Sequence, residues 1–305
     1  MEFLYLLESI RNPVLDAFFS AVTYLGDETL FIAIAIAVFW CVNKRTGYYL
    51  LTVGFFGTIL NQFLKLVCRV PRPWVRDPNF TIVESAREAA SGYSFPSGHT
   101  QSITGSMGCL ARASGKNRVR AVCIILIALT AFSRMYLGVH TPADVGVSLA
   151  IGTVLVFALY PVFRRCEDNP KLMYAIVGGL TLCALAYLLY VELWPWDSGI
   201  DPHNLESGLK NAYTLFGCGL GMLVSCYVEE NYIRFSEKAT WQGQLVKLVV
   251  GFAIVLGIKA GLKPVLEAVL PVMPARAVRY FVLVVFAACI WPLSFRYLAK
   301  LGEKK

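Results

Sequence analysis

Three short stretches carry side chains able to do chemistry together. KLVCRVPRP sets Lys65 and Arg72 before the helix-stopping Pro73; PSGH, residues 96–99, sets Ser97 and Gly98 before His99; SRMYLGVHTPAD holds Ser133, Arg134, His140 and Asp144. The chain has three histidines, and two of them lie here. Each stretch also has an ordinary reading. Lys65 and Arg72 can snorkel to headgroups, Ser97 can cap a helix, and Thr141 to Asp144 makes an acceptable capping box. Arg134 resists such a reading, because it falls about two helical turns below a corner and inside an apolar run, where an unpaired guanidinium is costly.

A bound phosphate satisfies all of these groups at once. Lys65, Arg72 and Arg134 supply cationic donors, and the two arginines can grip oxygens as forks. The helix opening at Ser97 and Gly98 offers backbone N–H groups and a positive dipole end, with Gly98 permitting close approach. His140 has Asp144 four residues on, near enough to accept one ring proton, fix the tautomer and leave the other nitrogen to attack. His99 then fits as the proton donor to a leaving alkoxide and as the base that activates water afterwards.

The elements that must position these groups are membrane helices. The 305 residues are 57% hydrophobic and 16% charged, against about 25% charged in soluble proteins. Apolar blocks near the ~20-residue length that crosses a bilayer run over 28–43, 48–67, 98–114, 120–140, 142–163, 172–194, 211–228, 245–270 and 277–299. The expected fold is all-α, a polytopic membrane bundle of about nine transmembrane helices. Residues 1–27 mix Glu8, Arg11 and Asp16 with an apolar face and a Pro13 break, which predicts an interfacial amphipathic segment rather than a removable signal peptide. A composition break at RRCEDNPK divides a core over 28–165 from a four-helix extension over 166–305.

Nine spans put the termini on opposite sides. One side collects 16 of the 28 basic residues against 12 on the other, which favours a cytoplasmic C-terminus and an extracytoplasmic site. The net charge of +8 is therefore an orientation signal, and no nucleic-acid-binding pattern accompanies it. The nine cysteines show no pairing pattern or C-x-x-C and read as small buried hydrophobes. No Asp/Glu/His cluster has metal-ligand spacing, so no cofactor is expected.

Lys65-x6-Arg72-Pro73, Pro96-Ser97-Gly98-His99 and Ser133-Arg134-x5-His140-x3-Asp144 resemble the three-part signature of the type 2 phosphatidic acid phosphatase superfamily, without departure at the motif positions. The resemblance covers residues 65–144 directly, and three blocks in the right order are highly specific. It implies a metal-independent phosphatase built on a helical core. It also implies His140 as nucleophile, His99 as acid and base, Asp144 as orienting partner, and Lys65, Arg72, Ser97, Gly98 and Arg134 on the phosphate.

Relatives in that superfamily act on phosphatidate, prenyl diphosphates, sphingoid phosphates and glucose 6-phosphate, and include soluble acid phosphatases and vanadium haloperoxidases that the membrane blocks disfavour. The nine-span plan is similar to the glucose-6-phosphatase and sphingosine phosphate branches, but Asp144 is unlike the former and Gly98 unlike the latter. The expected substrate is a lipid phosphate or diphosphate entering sideways from the outer leaflet of a bacterial plasma membrane. The alternatives are a sugar phosphatase, or a non-catalytic transporter or binder of a phosphorylated molecule. Lys259 and Lys263 read as snorkelling, His203 as a solvated loop residue, Gly217 and Gly221 as helix packing, and Asn79-Phe80-Thr81 as a sequon meaningful only in a eukaryotic secretory membrane.

Overall fold

The structure, a computed structural model, describes residues 1–166 and 168–302. They form helices, turns and loops with no strand among them. In chain order the helices are α1 (Glu2–Ser9), α2 (Pro13–Thr23), α3 (Glu28–Cys41), α4 (Lys44–Cys68), α5 (Pro73–Arg76), α6 (Gly98–Ser114), α7 (Asn117–Tyr136), α8 (Pro142–Arg165), α9 (Pro170–Leu193), α10 (Pro202–Val228), α11 (Trp241–Glu267), α12 (Val272–Val285) and α13 (Phe295–Leu298).

Local chemistry sets the helix starts that matter for the site. Asn12 caps α2, its side chain accepting from the Val14 and Leu15 N–H groups, with Pro13 at the first helical position. Ser97 caps α6, which ends at Gly115 in the left-handed region at φ +67°. A reciprocal capping box opens α8: the Thr141 N–H donates to Asp144 Oδ2 at 2.7 Å, and the Asp144 N–H to Thr141 Oγ1 at 3.3 Å.

Among the described residues seven helices are long and apolar enough to cross a membrane, and eight when α2 and α3, bent by 49° between them, count as one span. The expected nine is not reached on this measure. The shortfall is α6, whose 17 residues carry His, Gln, Ser and Thr side chains. Of these, Thr100, Gln101, Thr104 and Ser106 are buried within the protein.

The chain divides into two compact units, interleaved in sequence. The first comprises Met1–Ile34, Val53–Pro161 and Pro195–Gly208; the second takes Ala35–Thr52, Val162–Trp194 and the chain from Leu209 onward. In the first, Phe19 of α2 packs with Tyr136, Leu137, Val139, Ala86 and Ala90 into a core directly beneath the corner between α7 and α8. The Phe19 and Tyr136 rings lie 4.4 Å apart. Charged residues of the N-terminal segment hold this corner. Arg11 Nε donates to the Tyr136 carbonyl at 3.0 Å, Tyr136 Oη donates to Asp16 at 2.8 Å, and Glu8 accepts from the Thr81 N–H at 2.9 Å.

The second unit is held by Trp40, which is fully buried and donates to the Ala287 carbonyl at 2.7 Å. Lys44 pairs with Glu229 at 2.7 Å. Lys247 is buried, its ammonium donating to the Glu237 carbonyl at 2.9 Å and lying 4.4 Å from the Phe295 ring centre. Its charge is therefore met inside the protein instead of at a membrane surface.

Candidate active site

Four helix ends in the first unit meet around a cavity of about 210 Å³. Lys65 lies in the last turn of α4 and Arg134 in the last turn of α7, where cations complement the dipole. The openings of α6 and α8 bring His99 and Asp144. Of the eight residues singled out from sequence, Lys65, Arg72, Gly98, His99, Arg134 and His140 line the cavity, and Ser97 and Asp144 lie outside its wall.

The three cations are held from behind by backbone and hydroxyl oxygens. Lys65 Nζ donates to the Tyr93 carbonyl at 2.8 Å. Arg72 donates through Nε to Gly92 O, through Nη2 to Ser91 O and through Nη1 to Val139 O, at 3.0, 2.7 and 3.0 Å. Arg134 donates through Nη1 to Thr23 Oγ1 at 2.6 Å, while its buried Nε and Nη2 have no partner among the described residues. Two unsatisfied guanidinium donors beside a cavity are what an oxyanion ligand would complete. The Arg134 carbonyl also accepts from the Val139 and His140 N–H groups, at 3.1 and 3.2 Å, and so fixes the corner.

His140 is almost wholly buried. Its Nε2 lies 2.9 Å from Arg72 Nη1. A guanidinium has no acceptor, so Nε2 must present its lone pair and the ring proton of a neutral imidazole must sit on Nδ1. The nearest carboxylate oxygen, Asp144 Oδ2, is 3.5 Å from Nδ1, and Nδ1 makes no hydrogen bond among the described residues. Oδ2 is already engaged, accepting from Ser94 Oγ at 2.6 Å and from the Thr141 N–H at 2.7 Å. Burial, followed by the fields of Arg72, Arg134 and Lys65, holds the His140 imidazole well below its usual pKa, in the neutral form.

Ser97 has its ordinary role, its Oγ accepting from the Thr100 N–H at 3.4 Å and from Thr100 Oγ1 at 3.0 Å, while its own N–H donates to the Asp144 carbonyl at 3.2 Å. Gly98 faces open space: a Cβ there would meet nothing nearer than Asn61 Oδ1 at 3.9 Å. His99 is half-buried and lines the cavity with no hydrogen-bond partner for its ring among the described residues. Ser133 donates back to the Thr130 carbonyl at 2.7 Å, a local bond within its own helix. His203 is exposed at the start of α10.

Sequence reasoning missed several supports. Thr23 holds Arg134, Ser94 holds Asp144, and Asn61 donates to the Pro96 carbonyl at 3.3 Å, steadying the turn before Ser97. Only Asn61 left a sequence signal, a polar residue one turn before Lys65 in an apolar helix.

Residues 45–168 match the sequence profile of the PAP2 superfamily, and residues 213–304 that of the PAP2 superfamily phosphatase, transmembrane extension. Lipid phosphate phosphatase delta of Arabidopsis thaliana is 25% identical over 88% of this chain and 67% of its own length. Sphingosine-1-phosphate phosphatase 1 of Rattus norvegicus is 23% identical over 85% of this chain and 62% of its own. The chain thus spans about two thirds of the length of these longer relatives. A crystal structure of Aquifex aeolicus LpxE aligns with a TM-score of 0.46 and 26% identity, over 52% of this chain and 92% of that one. Undecaprenyl-diphosphatase BcrC of Bacillus subtilis is 32% identical over 57% of this chain and 90% of its own length. With near-complete coverage of that relative, and with both profiles matched in order, this chain belongs to the PAP2 superfamily.

Proposed function

We propose that the protein is an integral membrane phosphatase that hydrolyses a lipid phosphate or diphosphate at the extracytoplasmic face, without a metal, through a phosphohistidine. In this reading residues 28–165 carry the chemistry and residues 166–305 form a membrane extension. The observation that carries it is the contact between Arg72 Nη1 and His140 Nε2 at 2.9 Å, with Asp144 behind Nδ1. A neutral imidazole protonated on Nδ1, with a fork able to grip phosphate beside its Nε2, is what a histidine nucleophile would need, and this supports the reading.

The steps follow from that geometry. A phosphate entering among Lys65, Arg72 and Arg134 takes over the Arg72 donor and leaves the Nε2 lone pair facing phosphorus. Nε2 forms the N–P bond as the ester P–O bond breaks, and His99 gives its proton to the departing oxygen. The three cations meet the charge spread over the equatorial oxygens, and Asp144 stabilises the cationic imidazole ring. A water then attacks phosphorus, His99 now taking its proton. The N–P bond breaks, inorganic phosphate leaves, and His140 is neutral again.

The test is to mix purified protein with a radiolabelled lipid phosphate in EDTA, quench in alkali, and look for acid-labile, base-stable label on His140. Wild type retains the label and turns over in EDTA. His140→Ala loses both label and turnover, the latter by several orders of magnitude, while substrate still binds. Residual turnover within about tenfold of wild type refutes the assignment.

A further inference from the structure

The second unit has a cavity of its own, about 160 Å³ in volume. Its wall includes Lys44, Arg45 and Tyr48 from the start of α4, Glu229 and Glu230 just after α10, and Arg234 beyond them. Lys44 and Lys65 stand at opposite ends of α4. None of these lining residues belongs to the site described above.

The donors on this wall outnumber the acceptors. Lys44 Nζ donates to Glu229 Oε1 at 2.7 Å and to the Phe235 carbonyl at 2.9 Å, so that pair answers itself. Glu230, which lies beside the Tyr174 hydroxyl, is left against two guanidinium groups. Arg234 follows a single π-helical turn, Glu229–Ile233, and stands in the left-handed region at φ +46°. Its Nε donates back to the Glu230 carbonyl at 2.9 Å, and its Nη groups have no partner among the described residues. Arg45 is exposed and makes no hydrogen bond among them. Tyr48 is 5% exposed, and its buried Oη also lacks a hydrogen-bond partner among the described residues. The Cys226 thiol beside it is only a weak acceptor. A buried hydroxyl and two open guanidinium forks around one cavity are what acceptor oxygens of a ligand would complete.

The neighbouring side chains bear on the kind of ligand. Tyr227 and Tyr232 are exposed, their rings 6.1 Å apart, and Tyr174 lies 6.1 Å from Tyr227. Tyrosines gathered at the end of a membrane-crossing helix mark the level of lipid headgroups. Basic pockets between such helices take lipid phosphates.

We propose that this cavity is a second phosphoryl-binding site, in which Arg45 and Arg234 grip the oxygens of a membrane phospholipid headgroup or of free phosphate and the Tyr48 hydroxyl donates to the same group. Two guanidinium charges against Glu230 leave a surplus of one, which suits a singly charged phosphodiester. The site is separate from the phosphatase reading and does not rest on it.

The experiment titrates the full chain in detergent with short-chain phosphatidylglycerol, with diacylglycerol of the same acyl chains, and with inorganic phosphate. Binding isotherms and melting temperatures are compared for wild type, R45Q/R234Q and Y48F. Phosphatidylglycerol should bind and raise the melting temperature where diacylglycerol does not. R45Q/R234Q should weaken that binding by about tenfold or more, and Y48F by about threefold or more. Arg45 and Arg234 are exposed, and R45Q alone makes the same test should the double variant not fold. Inorganic phosphate that reproduces the shift, and loses it in R45Q/R234Q, supports the site with the free ion as its ligand. Binding that these substitutions leave unmoved lies elsewhere and overturns the proposal, as does diacylglycerol binding as tightly as phosphatidylglycerol. None of these outcomes bears on the role of His140.

Discussion

At the residue scale, the question is what His99 contributes beyond occupying the cavity wall. A general acid matters in proportion to how poor the leaving group is, because an alkoxide needs its proton in the transition state and a stabilised phenolate hardly does. His99→Ala should therefore reduce hydrolysis of an alkyl phosphate lipid by about 10²–10⁴ and that of p-nitrophenyl phosphate far less. Equal losses on both substrates, measured on one folded variant, would remove His99 from proton transfer. The types and spacing of these residues were legible in the sequence, since Lys65 to Arg72, Ser97 to His99 and Arg134 to Asp144 are each local. Their anchors were not. Thr23 and Arg134 are 111 positions apart, and Ser94 and Asp144 are 50 apart, and no local pattern announces a hydroxyl that will meet a charge across the fold.

At the element scale, one side chain serves two structures. Asp144 closes the capping box of α8 and also backs the His140 ring. From sequence these were competing readings, and the geometry realises the first while presenting the second at a longer distance. Asp144→Asn separates them. An asparagine still accepts from the Thr141 N–H, so the start of α8 and the melting temperature should change little. The amide can also turn its NH₂ toward the ring and favour the wrong tautomer, so kcat should fall by up to ~10⁴. A large loss of stability with kcat intact would mean that the cap alone matters. Packing at Gly26 sets a second element-scale constraint. Its added Cβ would meet the backbone of α6 at His99 and Thr130 Cγ2 at 2.9 Å, and backbone cannot step aside cheaply. Gly26→Ala should destabilise by about 1–3 kcal/mol and lower kcat by shifting His99, with both losses visible in thermal melts and in turnover of the surviving folded protein.

At the scale of the whole molecule, the number of crossings decides which side the site faces, and α6 is the helix in question. Its 17 residues rise about 26 Å, close to the ~30 Å hydrocarbon core. It is shorter than the helices counted as spans, and several of its polar residues are satisfied by their own helix. Thr104 Oγ1 donates to the Thr100 carbonyl at 2.7 Å, and Ser106 Oγ to the Ser102 carbonyl at 3.0 Å. Thr100, Gln101, Ile103, Thr104, Gly105, Ser106, Met107 and Cys109 are buried within the protein, so lipid never meets them, and such a helix can lie at membrane depth. The Gly115 turn that follows leads into Lys116, Arg118 and Arg120, a basic cluster of the kind retained in the cytoplasm. The loop carrying Glu88, before α6, should then face the opposite side. With the exposed Cys68 and Cys183 replaced, Glu88→Cys in intact cells should react with a membrane-impermeant maleimide, and Arg118→Cys only after permeabilisation. Both positions are exposed, so folding cannot hide either one. Labelling of both without permeabilisation would mean that α6 does not cross, and labelling in the reverse order would put the phosphate site on the cytoplasmic face.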